Sequence, residues 1–180
     1  MATKALSLRF ATVVFAMTGG LALEAEPALV DAAMSGDLKA VRALVRQTSD
    51  VNETQPDGMT ALHWAVQPRD LEMTNLLLNA GADFKIANRT GANPLYLAAV
   101  NGDAAVIARL LDAGEDPNAV LTAEGETVLM LTSYTGNPAA VKLLLDRGAE
   151  PNTQQFRGQT ALMWAAAEGH AEVVELLLAG

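Results

Sequence analysis

Apolar residues recur along this chain in two short helical runs, stop, and then recur in the same two runs again. Between Pro27 and Met59 the runs are Leu29, Ala32 and Ala33, then Leu38, Val41, Leu44 and Val45, broken around Ser35 and Gly36. Spacings of three and four place such side chains on one face of a helix. The next stretch repeats the plan with Leu62, Trp64 and Ala65, then Leu71, Leu76, Leu77 and Leu78. Each unit is thus predicted to hold two short helices, each with one apolar face that needs a neighbour.

The repeat has a fixed length. Thr160 has counterparts at Thr127, Asn93, Thr60 and Pro27, at steps of 33, 34, 33 and 33 residues. The units run near 27–59, 60–92, 93–126, 127–159 and 160–180, the last incomplete. Asp70 is placed to cap a second helix after Pro68 ends the first, and Asn93-Pro94 and Asn137-Pro138 set a side-chain cap before a proline in the first turn. Helix pairs are predicted to close in the left-handed conformation at Gly81, Gly114 and Gly148, with Thr48 in that role in the first unit. Polar connectors follow, ending in the turn pairs Asp57-Gly58, Thr90-Gly91, Glu124-Gly125 and Arg157-Gly158. The connector after Asn118 is one residue longer than the others, which accounts for the 34-residue step.

A period of 33 with Thr60-Ala61-Leu62-His63-Trp64-Ala65 and Thr160-Ala161-Leu162-Met163-Trp164-Ala165 opening first helices resembles the ankyrin repeat. Asn93 to Ala98 and Thr127 to Thr132 carry the same pattern, as do the endings Gly114 to Asn118 and Gly148 to Asn152. The resemblance covers Pro27 to Gly180 and implies an all-α solenoid of about five helix-turn-helix units joined by short β-turn connectors. Departures fall at Pro27 for the opening Thr, Arg69 for the inter-helix Gly and Lys85 for the usual Asn, where individual turns should be weaker.

Residues 1–22 do not repeat. Lys4 and Arg9 precede the apolar run Phe10 to Met17, and Gly20 and Ala22 are small residues of the kind a signal peptidase accepts. An export signal cleaved after Ala22 is expected, with 23–26 as a leader; an uncleaved N-terminal anchor is the alternative. With the repeats, the whole resembles an exported bacterial ankyrin protein, periplasmic or secreted.

Composition narrows the chemistry. With 51% hydrophobic but only 4% aromatic residues, the core is built of Ala, Leu and Val. The 12 Lys plus Arg against 21 Asp plus Glu give a net charge of -9, and loss of Lys4 and Arg9 with the signal would make it -11. That balance disfavours nucleic acid as a partner. The absence of cysteine excludes disulfides, thiolate metal sites, a cysteine nucleophile and a lipid anchor on Cys. His63 and His170, the two histidines, lie three units apart, roughly 25–30 Å if stacked helices are 8–10 Å apart. They cannot share an active site or a metal, and are expected to serve the helix-opening motif and an inter-helix turn. Glu168, Glu172 and Glu175 fall at helical spacing, as a solvated face does, and no phosphate-binding glycine motif occurs. No enzyme, cofactor or metal is expected.

A binding surface remains. In arrays of this kind the connector tips and the outward side of the first helix line a concave face. The residues proposed to meet a protein partner there are Met59, Arg89 and Glu124, then Tyr134, Phe156, Arg157 and Glu168. Tyr134, Phe156, Arg157 and Met59 are of types enriched at interfaces, whereas Trp64 and Trp164 are expected in the inter-repeat core. The expected function is an exported, monomeric protein-interaction module. The alternatives are the non-catalytic part of a longer exported enzyme, or a regulatory or inhibitory subunit. Asp31, Lys39, Arg42 and Arg46 suit the first unit to cap the array. Val173, Val174, Leu176, Leu177 and Leu178 look made for a further neighbour, so continuation beyond Gly180 is expected.

Overall fold

A computed structural model describes residues 28–48 and 50–179. The expected export signal, the leader and Pro27 lie outside the described residues. Ten short helices follow one another among them: α1 (Leu29–Met34), α2 (Leu38–Leu44), α3 (Ala61–Val66), α4 (Leu71–Asn79) and α5 (Pro94–Asn101), then α6 (Ala104–Asp112), α7 (Val128–Thr135), α8 (Pro138–Asp146), α9 (Ala161–Ala167) and α10 (Ala171–Ala179). The odd-numbered helices pack side by side as one layer and the even-numbered helices as a second. This is the all-α repeat fold that the period implied.

Equivalent positions do equivalent work. Leu29, Leu62, Leu95 and Leu129 are each 3% exposed or less, and Ala32, Ala65, Ala98 and Ala165 let neighbouring first-layer helices approach closely. In the second layer Leu77, Leu110, Leu144 and Leu177 form the matching buried row. Each such leucine contributes about 1.5–3 kcal/mol by leaving water, and because that burial needs the adjacent unit, stability accumulates by nearest neighbours.

The helix ends follow their sequence signals. Side chains of Asp70, Asn93, Asp103, Thr127 and Asn137 accept from the first-turn amides of their helices. Gly81, Gly114 and Gly148 have φ of 89, 112 and 88°. Past each of them the next amide returns to the helix, as from Ala82 to the Leu77 carbonyl at 3.0 Å. Thr48 departs from its predicted role, since its φ is not positive. After α2 the chain continues through a turn at 45–47 and the Thr48 amide donates to the Leu44 carbonyl at 2.8 Å, so no left-handed residue is needed. Arg69 is the one non-glycine residue at positive φ among the described residues, at 65°, where Gly102, Gly136 and Gly169 stand in later units.

Hairpin-like connectors, here called fingers, project between units. In the first, second and fourth, the amides of Gln55, Asn88 and Gln155 donate to the carbonyls of Met59, Ala92 and Gln159. In the third, the Leu121 amide donates to the Glu126 carbonyl across a loop one residue wider. Fingers one and two are joined by the Arg89 amide on the Asp57 carbonyl at 2.9 Å, and fingers three and four by the Phe156 amide on the Glu124 carbonyl at 3.0 Å. The equivalent bond, Ala123 amide to Thr90 carbonyl, is not made. At the same junction Lys85 replaces an asparagine. Its counterparts Asn52 and Asn118 accept from the amides of Asp83 and Glu150 in the following units, at 2.7 and 2.8 Å. Side chains join the second and third units elsewhere, Arg109 on Asn75 and Asn79 at 2.8 and 2.9 Å in the second layer and Asn101 on the Gln67 carbonyl at 3.1 Å at the ends of the first-layer helices.

Candidate functional site

The widened third finger has a direct structural consequence. Thr90, Gly91 and Tyr96 on one side and Val120, Thr122 and Glu124 on the other enclose a cleft of about 530 Å³. Tyr96 also lines a second cavity of about 320 Å³ with Val100, Glu126, Tyr134 and Trp164. Tyr134 and Trp164 line a third, of about 210 Å³, together with Met163 and Glu168. Shared lining residues set the three side by side as a groove along α5, α7 and α9, bordered by the fingers.

Helical spacing positions its walls. Tyr96 and Met163 follow their N-caps Asn93 and Thr160 by three residues, and Val100 and Tyr134 follow Asn93 and Thr127 by seven. The second register is exposed in units two to five, whereas the first is exposed at Met163, half-buried at Tyr96 and buried at His63 and Met130. Tyr134 and Trp164 meet edge to face, ring centroids 5.9 Å apart at 76°. Glu124, Glu126 and Glu168 line the groove and no Lys or Arg does. It is an aromatic and acidic surface.

The residues predicted for partner contact divide into three groups. Tyr134, Glu168 and Glu124 line the groove. Arg89, Phe156 and Arg157 are exposed on finger tips, Phe156 at 82%, with its ring packed beside Gly125. Met59 does not belong to the surface. Only 7% of it is exposed, because its side chain turns back under the second finger, where its sulfur accepts from the Asn88 side-chain amide at 3.4 Å.

Two expectations about tryptophan change as well. Trp64 and Trp164 are half-buried and pack against the core without being enclosed by it. Trp64 donates its indole N–H to the Gln55 side chain at 3.0 Å, while Trp164 forms part of the groove. Tyr96, Met163 and Trp164 were missed from sequence as groove residues. The available signal was the third and fourth positions after each N-cap, which carry large side chains in these copies.

Other groups serve structure. His63 completes a reciprocal cap with Thr60, whose amide donates to Nδ1 at 3.1 Å, while Nε2 meets the Ala92 carbonyl at 3.1 Å. Desolvation lowers its pKa from the ordinary 6.5, against the opposing pull of the Ala92 carbonyl and the Asp57 charge. His170 lies over Gly136 and bonds the Tyr134 carbonyl at 2.9 Å. Glu168 lies past the end of α9, whereas Glu172 and Glu175 are on α10, so the three do not share one helix face. Glu115 was not singled out in the sequence. Burial raises its pKa above the ordinary 4.5, the Asp116 amide and Lys85 partly offset this, and Oε1 has no partner. Val173 and Leu177 are buried against the preceding units, leaving Leu178, 69% exposed, as the large apolar side chain of α10 in solvent. Among the described residues no helix is long and apolar enough to cross a membrane, and no group of three metal-ligating side chains gathers.

The model of the family described as ankyrin repeats (3 copies) matches residues 29–121 and again 95–180. The chain belongs to the ankyrin-repeat family. This ankyrin array is similar to the RelA-associated inhibitor of Mus musculus, 31% identical over 101 residues, which is 56% of this chain and 12% of that protein. It is 34% identical over 85 residues to the Notch-regulated ankyrin repeat-containing protein of Xenopus tropicalis, covering 45% of this chain and 75% of that protein. Over 150 residues it is 39% identical to ankyrin repeat and SOCS box protein 3 of Bos taurus, covering 82% of this chain and 29% of the relative. The array thus spans a small part of two of these relatives and most of the third.

Proposed function

We propose that this ankyrin array is an exported, non-catalytic module that binds a protein partner through its concave face. The observation that carries the reading is the groove of three adjoining cavities, in which Tyr96 links the first to the second and Tyr134 and Trp164 link the second to the third. Grooves lined by aromatic anchors with polar groups at their edges are the surfaces that bind protein partners. Tyr134 supplies a central anchor, and Phe156 and Arg157 a tip that a partner spanning the fourth and fifth units would cover. The histidines support a non-catalytic reading, since both are engaged in bonds that hold the fold.

Co-purification with the mature chain as bait identifies the partner. Joint alanine substitution of Tyr134, Phe156 and Arg157 should then weaken binding at least tenfold without unfolding the array; an unaltered dissociation constant refutes the assignment. Export rests on the basic start and apolar run of residues 1–22. Intact-mass analysis of protein from its native host should give a mature chain beginning at Leu23, and a retained Met1 would refute cleavage. A second reading, a regulatory or inhibitory subunit, is favoured by the similarity to a protein named as an inhibitor. Loss of activity of a co-purified enzyme on adding the array would support it.

A further inference from the structure

We propose that the cavity between α5, α7 and α9 is a pocket for a cationic side chain, a lysine or arginine supplied by a basic segment of the partner. This rests on the reading of the groove as a protein-binding face and gives that partner a chemistry. Three aromatic residues, Tyr96, Tyr134 and Trp164, line the same cavity of about 320 Å³ with the acidic residue Glu126. The 76° angle between Tyr134 and Trp164 sets their planes nearly perpendicular, so the two rings do not stack face to face on each other. Ring faces attract a cation held within about 6 Å, and the attraction grows as water is displaced.

The electrostatics point the same way. Glu126 makes no ion pair among the described residues, and the three ion pairs found there, Arg42–Glu72, Lys142–Asp146 and Arg147–Asp112, all lie on or at the end of second-layer helices. Glu124 and Glu168 line the adjoining stretches of the groove, with no basic residue among its walls. The chain's net charge of -9 extends this preference beyond the pocket. An acidic peptide would meet carboxylates at each step along the groove, whereas a basic segment would find them spaced along its path. The aliphatic stem of a lysine or arginine would lie against Val100 and Leu131, which complete the apolar lining.

The test is a nuclear magnetic resonance titration of the full chain with three blocked peptides that differ at one position: lysine, norleucine or glutamate. The two indole N–H signals are assigned with Trp64→Phe. The lysine peptide should shift the Trp164 signal and leave that of Trp64 in place, with an affinity at least about threefold above that of the norleucine peptide. Raising the salt concentration or introducing Glu126→Gln should narrow that difference. Glu126→Gln conserves volume, and an unchanged thermal midpoint would show that it acts on the pocket alone. Equal affinity for lysine and norleucine peptides would overturn the cationic pocket while leaving a protein-binding groove. If no peptide moves the Trp164 signal, both the pocket and the groove reading fall.

Discussion

The imidazole of His63 links the start of one repeat to the chain that enters the next, its Nε2 meeting the carbonyl of Ala92 at 3.1 Å. Because Nδ1 accepts from the Thr60 amide, the ring is held neutral with its proton on Nε2. His63→Ala should cost about 2–4 kcal/mol, since it leaves a cavity and two backbone groups without their partner. Urea denaturation measures this directly.

Acid should weaken the same contact. A folded-state pKa below 6.5 means the unfolded chain takes up the proton more readily, so the stabilisation by neutral His63 is complete above about pH 6.5. It is lost as pH falls from there through the folded-state value. The stability difference between the native chain and His63→Gln should shrink over that interval, while groups common to both proteins cancel. The raised pKa of Glu115 acts with the opposite sign, its contribution being full below 4.5 and lost as pH rises through the folded-state value. Glu115→Gln should accordingly raise the urea midpoint at pH 7 and leave it nearly unchanged at pH 4.

Arg69 occupies a left-handed position, φ 65°, that later units give to glycine. Left-handed backbone costs a residue with a Cβ about 1–2 kcal/mol, and the exposed Arg69 bond to the Asn101 carbonyl returns part of it. Arg69→Gly should raise stability by about 0.5 kcal/mol. The reverse change at Gly136 should be damaging, because φ is 75° and an added Cβ would collide with the His170 ring. Gly136→Ala is expected to lose about 2–3 kcal/mol and to release the His170 bond to Tyr134, visible as a change in the His170 ring signals.

Ser133 is fully buried in α7 and its hydroxyl has no partner. Ser133→Ala should stabilise the array by about 1 kcal/mol, removing an unmet desolvation cost. Its neighbour Thr132, whose hydroxyl donates to the Val128 and Leu129 carbonyls at 3.0 and 3.1 Å, should lose about 1 kcal/mol in Thr132→Ala. Thermal or urea unfolding of the pair distinguishes a satisfied hydroxyl from an orphan in the same helix.

Deleting Ala123 restores a 33-residue step and should close the cleft of about 530 Å³ between the second and third fingers. The Thr122 amide would then take the place from which Arg89 and Phe156 reach the preceding finger. Slower hydrogen exchange at Thr122 is the expected readout, and an exchange rate like that of the native loop would show that the inserted residue does not cause the gap.

Much of the fold could be read from residue types in register. Asp70, Asn93 and Asn137 cap the helices they precede because a short side-chain acceptor next to an apolar run satisfies orphan amides locally. Thr48 misled because a helix can also leave by further turning, a choice its own side chain does not encode. The groove was legible in part. Position in the repeat points to Tyr134, Glu124 and Glu168, but it also puts Met59 on the surface, where the structure buries it, and Trp164 in the core, against which it is only half-buried. Both errors concern how far a side chain is turned about its own helix or finger, which neighbouring units decide.

The sequence by itself determined the period, the two helices per unit and the place of the single insertion, because these follow from local propensity and nearest-neighbour burial. Only the tertiary structure decided that the bond between the Ala123 amide and the Thr90 carbonyl is not made, and that Tyr96, Tyr134 and Trp164 from three different units wall one cavity. Such contacts join residues about 30 apart through the stacking angle of successive units, a quantity written in no single repeat.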